Sequence, residues 1–87
     1  MVKMYMRETV ADFAKWKVVF DEHESTRQKF GAKKSDAFTN TKNPNEVLVV
    51  IEMDNKAQAT LFLENSDIKE AMKIAGVIGA PVISYCE

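Results

Sequence analysis

The chain has 87 residues, 46% hydrophobic and 29% charged, with 12 basic and 13 acidic side chains and a formal net charge of -1. That is one small soluble domain, residues 1–87, near the size where a single core still suffices. Nearly balanced charge leaves no basic face to follow a phosphate backbone, which argues against a nucleic-acid partner. The lone cysteine, Cys86, excludes an internal disulfide or a thiolate metal cage.

Val2 to Met6 reads as a strand, because Val2, Met4 and Met6 alternate with Lys3 and Tyr5. Lys3 and Arg7 interrupt this apolar stretch, so no signal segment is expected. No apolar run approaches the roughly 20 residues that span a bilayer. No membrane association is expected, and the cytoplasm is the expected location. Thr9 suits a helix N-cap, with Asp12 three residues on in the manner of a capping box. The helix is predicted from about Val10 to Phe30, with Gly31 in the left-handed position beyond it.

Lys34 to Thr41 reads as a polar second strand, and Asn43-Pro44-Asn45 as a turn. Val47 to Met53 is the third strand. Its run Val47-Leu48-Val49-Val50-Ile51 is continuously apolar and asks for burial on both faces. Asp54 or Asn55 caps the next helix, whose apolar side is Ala59, Phe62 and Leu63. Asn65-Ser66-Asp67 reads as a break and a new cap, after which Ile68, Ala71, Met72 and Ala75 share a face. Gly76, Gly79 and Pro81 end the helix, and Val82 to Cys86 is the last strand.

The order βαββαβ is the ferredoxin-like arrangement, an α+β fold with a four-stranded antiparallel sheet and its helices on one face. One chain leaves the other sheet face uncovered. A homodimer joined through that face, sheet against sheet, is therefore expected, with Val49 or Ile51 in the interface. The alternative is that the C-terminal tail covers them.

The first helix carries the chemistry. Phe13, Trp16, Phe20, His23 and Arg27 recur at spacings of three and four, so they share one helix face. The stripe starts as aromatic core and ends in the only histidine and a cation. An imidazole titrates near neutrality and can act as a general base. His23 is accordingly a candidate catalytic base, or else a structural histidine bonded to a backbone carbonyl. Arg27 is a candidate anion partner, or else one half of a surface ion pair with Glu24 or Glu22. Trp16 and Phe20 suit the wall of a pocket for a planar ligand, with Phe13, Phe62, Tyr5 and Tyr85 as further lining candidates. No metal site is expected, since one histidine among scattered carboxylates is too few ligands.

The run Val10 to Glu24 followed by Arg27 resembles the first helix of the small dimeric α/β-barrel superfamily. Asn43-Pro44-Asn45-Glu46-Val47, Phe62-Leu63, Met72 and Ala75-Gly76-Val77-Ile78-Gly79-Ala80-Pro81 extend the resemblance over nearly the whole chain. Antibiotic-biosynthesis monooxygenases, polyketide cyclases, haem-degrading monooxygenases and stress-responsive barrels belong to that superfamily. The resemblance implies a homodimer whose sheets form a barrel, with a pocket between each sheet and its own helices. It does not imply one activity, because the superfamily hosts many on one scaffold; the expected function is a cofactor-independent monooxygenase or polyketide-type cyclase acting on a small aromatic molecule, with His23 as base. The alternatives are a non-catalytic dimeric binding or stress-response module, or haem held by His23 as axial ligand.

Overall fold

The computed structural model describes residues 1–87. Its first strand, β1 (Val2–Val10), is longer than the alternation through Met6 suggested. Val2, Met4, Met6, Glu8 and Val10 are all buried, and the residues between them face the other side. Thr9 belongs to this strand and caps nothing. Asp12 is the N-cap of α1 (Phe13–Glu22), accepting from the backbone N–H groups of Ala14 and Lys15. A carboxylate meets two orphan helix donors there, as a hydroxyl at Thr9 would have done three residues earlier.

The long first helix is two pieces. It breaks at His23, and α2 (Glu24–Lys29) follows. The Val19 carbonyl accepts both the backbone N–H of His23 and its ring Nδ1, at 3.1 and 2.8 Å. Gly31 closes the segment at φ +106°, a value only glycine adopts without strain.

β2 (Lys34–Thr39) and β3 (Glu46–Met53) form the next hairpin. Asn55 caps α3 (Lys56–Glu64) through a 2.8 Å bond from Gln58 N–H. Asn65 ends that helix and caps α4 (Ser66–Ile74), accepting from Asp67 and Ile68. β4 (Val77–Cys86) begins earlier than Val82 and carries Gly79 and Pro81 inside it.

The sheet order is β2-β3-β1-β4, antiparallel throughout, which is the ferredoxin-like α+β fold. The register aligns the inner residues across strands: Met4 lies opposite Ile51 on one side and Tyr85 on the other. The helices cover this inner face, and the core comprises Val2, Met4, Val10, Val47, Val49, Ile51, Met53, Trp16, Phe62 and their neighbours.

β3 corrects one expectation. Val49 and Ile51 are buried under the helices, so neither is available to an interface across the sheet. The outward residues of β3 are Glu46, Leu48, Val50 and Glu52, all partly exposed. On the same outer face lie Tyr5, Phe38 and Val82, the last two 56% and 64% exposed. The ion pairs Lys3–Glu52 (4.0 Å) and Arg7–Glu46 (3.3 Å) share this face.

Candidate functional site

The cavity lies between α1–α2, α3–α4 and the inner sheet face, and encloses about 60 Å³. Eleven of its fourteen lining residues are apolar. The other three are Glu8, His23 and Arg27, each from a different local structure: a strand, a helix junction and a short helix. Trp16, Phe20, Phe62, Met6 and Met72 supply much of the apolar wall.

The helix stripe assembles largely as its spacing requires. Phe13 stacks on Trp16 with centroids 6.0 Å apart, and Trp16 on Phe20 at 4.9 Å. The Arg27 guanidinium continues the series, 3.8 Å above the Phe20 ring. Phe13 packs on the core but does not reach the cavity.

His23 is half-buried and borders two spaces, the inner cavity and an open groove of about 310 Å³ between α2 and α4. A carbonyl oxygen only accepts, so the bond to Val19 places the proton of the neutral ring on Nδ1. The Nε2 lone pair is thereby the free basic site.

Arg27 departs from the expected surface ion pair. It is 7% exposed and pairs with no carboxylate. Its Nη1 donates to the Phe20 carbonyl at 2.6 Å and its Nε to Ser35 Oγ at 3.1 Å. Burial lowers its pKa from the ordinary value, while the charges of Glu24 and Asp21 raise it part of the way back. The guanidinium stays charged. Arg27 lies on the buried side of α2, three residues on from the exposed Glu24.

Two further lining candidates, like Phe13, lie outside the cavity. Tyr5 pairs with Val50 and sits on the outer face of the sheet, because it alternates with the buried Met4 and Met6. Tyr85 is on the inner face and packs against the core, outside the cavity, with Lys56 Nζ 5.3 Å from its ring centroid. Phe62 does line the cavity.

Glu8 is the residue that the stripe could not show. It is 3% exposed on the inner face of β1, between Met6 and Val10. None of the ion pairs involves it. Burial in this apolar setting raises its pKa from 4.5 to about 7. The Trp16 indole N–H, which donates toward the carboxylate, opposes that rise. Alternation continued through Glu8 to Val10 was the signal in the sequence that marks it as inward.

No group of three or more histidine, cysteine, aspartate or glutamate side chains is placed to hold a metal ion. No helix is long and apolar enough to cross a membrane.

No family profile matches the sequence, and no curated protein resembles it at significant level. Solved structures do match. A proposed antibiotic biosynthesis monooxygenase from Bordetella bronchiseptica superposes with TM-score 0.88 at 11% identity, over 99% of this chain and 94% of that one. SnoaB, a cofactor-independent oxygenase from Streptomyces nogalater, gives TM-score 0.79 at 12% identity, over 99% and 90%. A proposed antibiotic biosynthesis monooxygenase from Caulobacter crescentus gives 0.77 at 16%, over 98% and 86%. The chain shares the fold of these proteins from end to end. At such identities the likeness concerns the fold, and activity has to be argued from the site.

Proposed function

We propose that this protein acts on a small aromatic or enolisable molecule held between its helices and its sheet, as a cofactor-independent monooxygenase or a polyketide-type cyclase. The observation that carries this reading is the cavity: apolar walls with only Glu8, His23 and Arg27 as polar members. Such a site favours a neutral planar ligand and offers a base for one acidic proton. SnoaB, with the same fold, is a cofactor-independent oxygenase.

Both reactions begin with loss of a proton from a phenol O–H or from a C–H beside a carbonyl. The electron pair stays on the substrate as phenolate or carbanion, and the Arg27 charge favours that anion. In the oxygenase, dioxygen is the oxidant. One oxygen atom enters the substrate as a carbonyl in place of two hydrogens, and the other leaves as water. In the cyclase the carbanion attacks a carbonyl of the same molecule. His23, with Nε2 free and the outer groove beside it, is one base suited to take the proton or pass it to solvent.

The same reading includes a homodimer. Tyr5, Phe38, Leu48, Val50 and Val82 share the outer sheet face, with Arg7, paired to Glu46, between Leu48 and Val82, and the Lys3–Glu52 pair at one border. A second copy covers this face with its own, sheet on sheet.

The test is oxygen uptake and product analysis with a panel of small phenols and enolisable aryl ketones, alongside native mass spectrometry. Uptake or cyclised product that falls sharply in His23→Ala, with fold and assembly mass kept, supports the reading. Absence of turnover across the panel, with a monomeric mass, overturns it.

A further inference from the structure

We propose that Glu8 is the catalytic base of the cavity, taking a proton from the O–H or activated C–H of a small neutral substrate. The inference rests on the reading that this cavity is the working site. Three features of the structure meet at Glu8.

The first is position. Glu8 is the only carboxylate on the inner sheet face of β1, and it is buried among apolar neighbours while still lining the cavity. A structural carboxylate at that depth is ordinarily paired or hydrogen-bonded, because an unpaired buried charge is costly. Glu8 has no ion pair, its one polar neighbour being the Trp16 indole, and the one buried cation on the cavity, Arg27, spends Nη1 and Nε on Phe20 and Ser35.

The second is the backbone. The register between β1 and β4 runs regularly from Lys3 to Arg7, then shifts between Arg7 and Thr9. Glu8 alone on β1 faces the three residues Gly79, Ala80 and Pro81 on β4, with Gly79 at φ +70°. Bulges of this kind re-aim a side chain and concentrate beside active sites. Here the irregularity falls on the one charged residue of the inner face.

The third is the electrostatic setting. From α1 and α2 the charged or titratable groups on the cavity are His23 and Arg27. The α3 and α4 residues that line it are all apolar, Val47 lies opposite on β3, and the β4 bulge is uncharged. Desolvation is then unopposed by an ion pair and holds the carboxyl near neutrality, where a general base works best.

The volume restricts the substrate to a small molecule. A cavity of about 60 Å³ holds about two waters, a water's share of the liquid being about 30 Å³. A one-ring phenol or a short carbon acid enters with side-chain movement at Met6 and Met72, which are unbranched and adaptable. The step itself balances without a co-reactant: the substrate C–H or O–H breaks, a Glu8 O–H forms, and the electron pair remains on the substrate.

The experiment follows deuterium wash-in at the α-carbon of nitroethane in heavy water by NMR, with the full chain. Nitroethane is small and neutral, and losing one proton leaves its electron pair on the nitro group. Wild type is expected to accelerate exchange by roughly 10²-fold over buffer, with the rate rising through about pH 7 as Glu8 ionises. Glu8→Gln is expected to fall to background with its circular dichroism and melting unchanged or improved, and Glu8→Asp to keep part of the rate. Exchange in Glu8→Gln as fast as in wild type overturns the proposal, as does wild type at background. Loss in His23→Gln with retention in Glu8→Gln assigns the base to His23 instead. Because the assay needs no oxygen, exchange without any oxygen uptake keeps Glu8 and removes the oxygenase reading.

Discussion

Arg27 holds Phe20 twice, by its guanidinium 3.8 Å above the ring and by a 2.6 Å bond from Nη1 to the main-chain carbonyl. The same side chain reaches Ser35 on β2, so one residue ties α1, α2 and the sheet edge together. Removing it leaves the Phe20 carbonyl without that donor and the ring without its cover. Arg27→Ala is expected to lower unfolding free energy by about 3 kcal/mol, within the range for a buried hydrogen-bonded cation. Arg27→Lys is expected to recover less than half, because an ammonium lacks the planar fork and stacks poorly. Urea unfolding of the three proteins decides it; a fully stable lysine variant means that charge alone matters.

Glu8 makes stability depend on pH. Its folded pKa of about 7 lies above the ordinary 4.5, so the native state binds the extra proton between those values. Stability from this group is complete below pH 4.5 and is lost as pH rises through about 7. The loss amounts to about 3 kcal/mol. The difference between wild type and Glu8→Gln isolates it: the variant is expected to gain relative stability from pH 5 to pH 8, read as the urea midpoint. Parallel curves for the two proteins mean that Glu8 is not held in its neutral form.

The two faces of β3 separate the proposed interface from the core. Val50→Asp or Leu48→Asp is expected to give a folded monomer, since these side chains point outward. Val49→Asp or Ile51→Asp is expected to unfold the chain, because an unpaired carboxylate enters the core. Size-exclusion with light scattering and circular dichroism distinguishes these outcomes. A folded dimer in both outward variants contradicts face-to-face pairing.

Asn65 serves two helices, ending α3 and accepting from Asp67 and Ile68 at the start of α4. Asn65→Ala is expected to cost about 1 kcal/mol, and Asn65→Asp to cost little, since a carboxylate also caps. Thermal melts of the pair test this, with equal losses pointing to a role other than capping.

The pattern of residues reveals the fold where period and punctuation agree. Asn-Ser-Asp at 65–67 marks a real helix break because each residue prefers a cap to a helix interior. The break at His23 has no such marker: nothing around it is glycine or proline, and the turn arises in the packing of α2 against the core. The phase of β3 is hidden inside five apolar residues. It is legible at the ends, since Glu46 and Glu52 share parity with Leu48 and Val50 and put that set outward. Glu8 was legible in the same way, by following alternation past the charged pair Arg7-Glu8 to Val10. Its environment was not, because only the closure of two helix pairs over the sheet excludes water from it.

Pro81 lies in β4, a strand with a partner on one side only. A proline offers no donor there, and the neighbouring bulge twists the strand away from a straight template. A passing chain therefore finds no continuous ladder to extend along that border. Growth of the sheet sideways through β4 into open-ended fibrils is thereby disfavoured.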